Sequence, residues 1–449
     1  MNKYFKYHHY AIGILIVILL QGCRQKEEEL SLEDRIDIAI YSRKIPSIDK
    51  QNVIFSSPHW IEERSALNSE ILSHLEDYLP TVIIERGETE ITDLQEQLSN
   101  SIGQEILTST YFKKETTLDQ LCEQKNLNGV IVLHNGHIIY EKYPDMESTE
   151  RHNYFSISKS FVGTVIAKLA DEGKINEQDS IGKFLFEFRN KPLGKVSIND
   201  LLRMSSGINC RELVKDRISF TDPEHCFYKF YQYSAVYHEP ENGFKQTLME
   251  FLADCGVYEP AGKTYDYTST NTVILSTIAE RVSGKPYHEL VSDFIWSKIG
   301  AEDDARITLS NTGIAGSSGY MMSRLRDLAR YGLAFTNDAP NIIASDRYLS
   351  LLREGDRDLF LTDEPFAKIF EDQGAAFQSY HWDVVFEDGD FAKFGLGGQG
   401  LYISPEKRLV LAFFSASKNE SKDTHSLRDL ARSFALLERF RTLDEGELY

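Results

Sequence analysis

Hydrophobic and polar positions change period several times along the 449 residues, and each change predicts an element. An unbroken apolar run from Ala11 to Leu20 follows Lys3 and Lys6. From Leu30 to about Thr110 the chain is polar, acidic and weakly patterned. The exception is Ser65 to Leu79, where Leu67, Ile71, Leu72, Leu75 and Leu79 recur at helical steps and Pro80 stops the series. The apolar runs Val130–Leu133 and Ile138–Tyr140 flank Asn135-Gly136, the turn pair of a β-hairpin. The period then becomes helical: Phe161, Val162, Val165, Ile166 and Leu169 share one face, and Gly173 stands where such a helix would end. Shorter helical text covers Ser197–Met204 and Val273–Val282. Near the C-terminus, Leu401–Ile403 and Leu409–Phe414 flank a Ser-Pro-Glu-Lys turn as a second hairpin. Strands at both ends with helices between predict an α+β fold: an antiparallel sheet built from both chain ends, flanked by helices, with an inserted mainly helical region.

Composition narrows the function classes. At 41% hydrophobic and 26% charged residues the chain has material for a core. Its 49 basic residues against 69 acidic ones leave a net charge of −20, which repels phosphate backbones and argues against a nucleic-acid partner. The cysteines, Cys23, Cys122, Cys210, Cys226 and Cys255, form no CxxC pair and no zinc-like spacing. His134 and His137 flank a hairpin turn and are read as turn residues, not ligands, so no metal is expected.

The apolar run at the N-terminus is shorter than the roughly 20 residues that span a bilayer, and with its lysines it reads as a secretory signal. It ends in Leu20-Gln21-Gly22-Cys23, which resembles the bacterial lipobox. The resemblance implies lipid attachment at Cys23, removal of residues 1–22, and a place in the cell envelope, on the periplasmic side or the cell surface, held to the bilayer by lipid. An uncleaved N-terminal anchor is the alternative. Gln25-Lys26-Glu27-Glu28-Glu29 resembles the surface-export signal of Bacteroidetes lipoproteins, with a solvated linker as the other reading. Residues 23–110 are then a tether and small helical extension, and 111–449 the main domain. Export leaves Cys122, Cys210, Cys226 and Cys255 where a disulfide can form, with the pairing open.

The chemistry gathers in four blocks. Ser156 and Lys159 lie three apart at the start of a predicted helix, so the amine can reach the hydroxyl. A serine hydroxyl needs such a base to attack a carbonyl. Val196–Gly207, with Leu201-Leu202-Arg203-Met204-Ser205-Ser206-Gly207, and Pro260–Thr272, with Tyr267-Thr268-Ser269, follow in order. Last comes the glycine-rich Phe394-Gly395-Leu396-Gly397-Gly398-Gln399-Gly400. In this order the blocks resemble the serine β-lactamase and penicillin-binding-protein superfamily, in its class C-like branch and near the 6-aminohexanoate-dimer hydrolases and related esterases. The likeness runs from about Tyr111 to Ser417.

The resemblance implies a β-lactamase/transpeptidase-like fold and a cofactor-free serine hydrolase acting on a small amide or ester. Ser156 becomes the acylated nucleophile, with Lys159 and Tyr267 as proton-transfer groups. The backbone N–H groups of Ser156 and Leu396 become the oxyanion hole, with Gln399 as the competing register. Ser269 stands where the family's Y-x-N motif has asparagine. Residues 394–400 hold no lysine to match the K-T-G motif, so no obligatory carboxylate contact is expected. A D,D-peptidase or weak β-lactamase is a further option. The rival reading is a catalytically silent surface lipoprotein that binds peptidoglycan peptide or glycan. The aromatic stretch Cys226–Tyr233 is either a packing patch or part of the pocket wall.

Overall fold

The computed structural model describes residues 30–440 except 56–65, 112, 125–126, 213–217, 340–341, 363, 371 and 418–421. The segment expected to be a signal, residues 1–22, and the expected lipid-attachment residue Cys23 lie outside the described residues. Among the described residues, no helix is long and apolar enough to cross a membrane.

The first predicted hairpin forms where the Asn-Gly pair requires it. Asn135 and Gly136 both take positive φ, 52° and 76°, which suits a two-residue turn joining strands of right-handed twist. They connect β4 (Gly129–His134) to β5 (His137–Lys142). The second hairpin joins β12 (Gly400–Ser404) to β13 (Leu409–Phe414). β13 then pairs antiparallel with β4, Leu409 opposite His134 and Phe414 opposite Gly129, so the two ends of the domain meet inside one sheet. With β9 (Ala375–Ser379), β10 (Trp382–Phe386) and β11 (Phe391–Phe394), the sheet has seven strands in the order β5-β4-β13-β12-β11-β10-β9. The α+β fold expected from the sequence is the fold observed.

These strands read as continuous apolar runs because both faces are covered. Ile131, Leu133, Leu401, Ile403, Val410 and Ala412 face the large core shared with the helical region. Their alternate neighbours Val130, Val132, Tyr402, Leu411 and Phe413 face a second core closed by the Lys422–Ala435 helix. The Ser158–Asp171 helix passes through the large core with Phe161, Val162, Val165, Ile166 and Leu169 fully buried, and Gly173 follows its end at φ 71°. Burying so polar a start as Ser158-Lys159-Ser160 makes sense only if those side chains have partners.

The N-terminal extension is more than a helical addition. The helix predicted over Ser65–Leu79 is two pieces, Ala66–Ser73 and a short 3-10 turn at Leu75–Asp77, with Leu67 left exposed. Thr81–Ile84 (β1) pairs with β7 (Ala305–Thr308) at the edge of a four-stranded sheet ordered β1-β7-β8-β6, where β6 is His152–Asn153 and β8 is Met321–Ser323. The hairpin of Leu107–Ser109 (β2) and Lys114–Thr116 (β3) straddles the boundary expected near residue 110. The extension is thus stitched into the domain by strand pairing, a long-range contact that carries no local pattern.

Candidate active site

Ser156 stands in a short 3-10 turn, Phe155–Ile157, that runs directly into the Ser158–Asp171 helix. Its predecessor Phe155 takes φ 46°, a left-handed conformation that costs a non-glycine residue about 1–2 kcal/mol. The Phe155 ring is buried edge-on against Tyr320, and Tyr154 N donates to Met321 O at 2.9 Å, so the packing around the turn holds it there. The sharp turn leaves Ser156 at the head of the helix, with Lys159 one turn on. Lys159 is 1% exposed, and its Nζ donates to Ser156 Oγ at 3.0 Å and to the carbonyl of Ser318.

Burial pushes the Lys159 ammonium down from 10.5 to about 7. The negative charge of Glu212 opposes the shift, Lys393 adds to it, and Asp383 opposes it. The amine is therefore neutral in half the molecules near neutral pH. Tyr267 moves the other way: burial, reinforced by the charges of Asp383 and Glu212, pushes its phenol well above its ordinary range, while a hydrogen bond with Ser156 works against the shift. The pair divides the labour by environment, with an amine that can accept a proton beside a phenol that keeps its own.

Tyr267 arrives from the Pro260–Thr272 block, which is laced to the Val196–Gly207 block by main-chain bonds. Asp266 N donates to Met204 O and Gly262 N to Ser205 O, both at 2.8 Å, and just before the block Tyr258 N donates to Gly207 O at 2.9 Å. Two lysine nitrogens, Lys159 Nζ and Lys393 Nζ, each lie 5.0 Å from the centroid of the Tyr267 ring. Lys393 corrects the expectation of a site without a third-motif lysine. It is the residue just before Phe394, on β11, with its Nζ 3.4 Å from the Tyr267 hydroxyl. The signal was legible, since Lys393-Phe394-Gly395 keeps the lysine and glycine spacing of K-T-G. Its charge, however, is already matched: Nζ is paired with Asp383, whose other oxygen accepts from Phe394 N at 2.9 Å.

Glu212 was missed. Its Oε2 accepts from Ser269 N at 3.0 Å and from Ser269 Oγ at 2.8 Å. Ser269, which stands where the Y-x-N motif has asparagine, is thus the anchor for a carboxylate whose charge acts on Lys159, Tyr267 and Lys393. A glutamate 57 positions from its serine carries no motif, and only the fold brings it here.

The glycine-rich segment is packed tightly on the turn that carries Ser156. A Cβ at Gly395 would lie 2.4 Å from Tyr154 O and 2.9 Å from Gln399 Cβ. Gln399 is fully buried and spends its amide inside the loop: Nε2 donates to Leu396 O and Oε1 accepts from Ser415 N, both at 2.8 Å. Leu396 packs into the small cluster that contains Phe155, Val236, Tyr237 and Tyr320.

The Cys226–Tyr233 stretch is a helix that packs on two sides, as the packing-patch reading expects. Phe227 and Phe230 are buried in the large core, while Tyr228 and Tyr231 pack on the cluster beside Phe155 and Leu396. His134 and His137 pair across the hairpin end, and both are partly buried.

Comparison with known proteins gives a consistent picture. A family model described as Beta-lactamase matches residues 115–436. The 6-aminohexanoate-dimer hydrolase of Paenarthrobacter ureafaciens is 28% identical over 333 residues, spanning 73% of this chain and 81% of the relative. A candidate 6-aminohexanoate-dimer hydrolase from Bacillus anthracis superposes with a TM-score of 0.71 at 22% identity, covering 88% of this chain and all of that one. Simvastatin synthase from Aspergillus terreus superposes with a TM-score of 0.52 at 10% identity, covering 71% of this chain and 96% of that one. At these identities the structural likenesses speak to the fold.

Proposed function

The chain belongs to the β-lactamase family, and from that premise we propose that this serine hydrolase cleaves a linear amide or ester through an acyl-enzyme on Ser156. The observation that carries the proposal is the 3.0 Å contact between Ser156 Oγ and a buried amine whose affinity for protons has fallen to about 7. Neutral Lys159 takes the hydroxyl proton as Ser156 Oγ attacks the carbonyl carbon. The proton passes through the Tyr267 phenol to the leaving amine or alcohol, and water then releases the acyl group by the reverse relay. The N–H groups of Ser156 and Leu396 receive the oxyanion. The Leu396 register is favoured over Gln399 because Leu396 directly follows Gly395, which packs against Tyr154 O at the turn that carries Ser156.

Lys393 bears on the substrate. Its ammonium is held by Asp383, so a substrate carboxylate would have to compete with a buried ion pair. This supports linear amides and esters over β-lactams, and the sequence likeness to the Paenarthrobacter 6-aminohexanoate-dimer hydrolase points the same way. The reading extends to export and to lipid attachment at Cys23, on the strength of the N-terminal sequence. A binding-only role fits poorly, because a cleft that merely holds a peptide has no use for a neutral amine aimed at a serine.

A fluorophosphonate probe should label Ser156 and raise the mass of the protein by one adduct, and Ser156→Ala should abolish both labelling and p-nitrophenyl ester hydrolysis. Labelling that persists in the variant, or an adduct mapped to another residue, would remove the assignment. Incubation with palmitate analogues in a bacterial host should tag the wild type and not Cys23→Ala; equal tagging would remove the lipid anchor.

A further inference from the structure

Three cysteines converge on one point beside the active site. Cys210 and Cys226 form a disulfide, and the Cys255 Sγ lies 3.1 Å from Cys226 Sγ. All three sulfurs fall within 4.8 Å of one another. Their placement is built into the fold: Asn209 N donates to Gly256 O at 3.0 Å and Ile208 bridges Val257, which holds Cys255 beside the segment carrying Cys210. Cys226 opens the aromatic helix, capped by His225, whose Nδ1 accepts from Phe227 N at 3.1 Å. The Cys255 thiol donates to Phe251 O at 3.3 Å and belongs to no disulfide.

The segment on the other side of the disulfide touches the catalytic motif at successive residues. Cys210 O accepts from Thr268 Oγ1 at 2.9 Å, Arg211 pairs with Asp266 at 2.8 Å, and Glu212 holds Ser269. These contacts tie the cross-link to Tyr267 through its chain neighbours on both sides.

We propose that Cys226 is the shared partner of an exchangeable disulfide, paired either with Cys210 or with Cys255. In the exchange the Cys255 thiol loses its proton to solvent and its sulfur bonds to Cys226 Sγ. The Cys210–Cys226 bond breaks with its electron pair going to Cys210, which takes up a proton. One disulfide and one thiol remain, so no oxidant or reductant is consumed. The consequence is local: Cys210 is released two residues before Glu212, and the segment that positions Glu212 loses its covalent tie to the aromatic helix. Burial pushes the Cys255 thiol up to about 11, helped by Asp254 and opposed by Lys229. Lys191 pairs with Asp254 and Glu224 with Lys229, so the local charges are balanced and exchange is slow near neutrality.

The test is a disulfide map of the purified full-length protein, held at pH 9, quenched in acid at intervals, alkylated in denaturant and digested. The expected result is a Cys210–Cys226 peptide that gives way in part to a Cys226–Cys255 peptide, with alkylation moving from Cys255 to Cys210. Cys255→Ser should freeze the first pairing while leaving initial ester hydrolysis unchanged, and Cys210→Ser should show Cys226–Cys255 as its product. A map that stays at Cys210–Cys226 alone, a Cys210–Cys255 peptide, or alkylation of Cys210, Cys226 and Cys255 together in unreduced protein would each overturn the proposal. Hydrolysis followed in parallel should fall about threefold or more as the wild type converts and stay constant in Cys255→Ser; equal rates for both pairings would overturn the tie to Glu212. The mapping does not depend on the hydrolase reading, so the two can fail separately.

Discussion

The proton affinity of Lys159 makes the sharpest prediction. A lysine with its ordinary value of 10.5 is neutral in roughly 3 molecules in 10,000 at pH 7. Lowered to about 7, it is neutral in about half. The environment thus raises the concentration of competent base by about a thousandfold, which is some 4 kcal/mol of the barrier. Acylation requires the neutral amine, so the rate should be flat above about pH 8 and fall tenfold per unit below about pH 6.5, with a midpoint near 7. Lys159→Arg keeps the cation and the reach but never becomes neutral, and should lose about a thousandfold or more. The assay is the pre-steady-state burst of p-nitrophenyl acetate from pH 5 to 9, corrected for spontaneous hydrolysis. Two results would refute the reasoning. A descending limb near 7 would mean that the ammonium is the active form, and a midpoint near 10 would mean that burial does not lower the amine.

The remaining predictions follow from the same contacts. Glu212→Gln removes a charge that holds the Lys159 proton on, so its acid limb should move below pH 7 by about one unit, read from kcat/KM against pH; an upward move would contradict the sign. Asp383→Asn leaves Lys393 buried without its counter-ion and should cost about 3–5 kcal/mol in urea unfolding, whereas the double variant Asp383→Asn, Lys393→Met should recover much of that. Gly395→Ala places a Cβ against Tyr154 O and should cost about 1–3 kcal/mol and lower kcat more than it raises KM; an unchanged kcat would show that the loop does not set the nucleophile. Gln399→Leu strands Ser415 N–H and Leu396 C=O and should destabilise by about 1–3 kcal/mol in the same unfolding assay.

The local text of the chain determined a good deal by itself. Asn135-Gly136 specified its hairpin because few other residue pairs accept two positive φ values, and the 3.6-residue period of Phe161 to Leu169 specified its helix. The serine–lysine pairing was legible because a helical turn fixes the distance between positions i and i+3 wherever the helix is placed. What the tertiary structure decided was the value of those groups. The proton affinity of Lys159 depends on burial and on Glu212, Lys393 and Asp383, residues as far as 234 positions away that meet it only when β11 and the Ser269–Ser283 helix close on the central helix. The edge strand Thr81–Ile84, the Cys210–Cys226 pairing and the Glu212–Ser269 contact were equally invisible, because each joins segments distant in sequence with no periodicity to announce it. Local sequence sets which groups are available. Low-dielectric burial, which only the assembled core provides, sets what protonation state they hold and so what chemistry they can do.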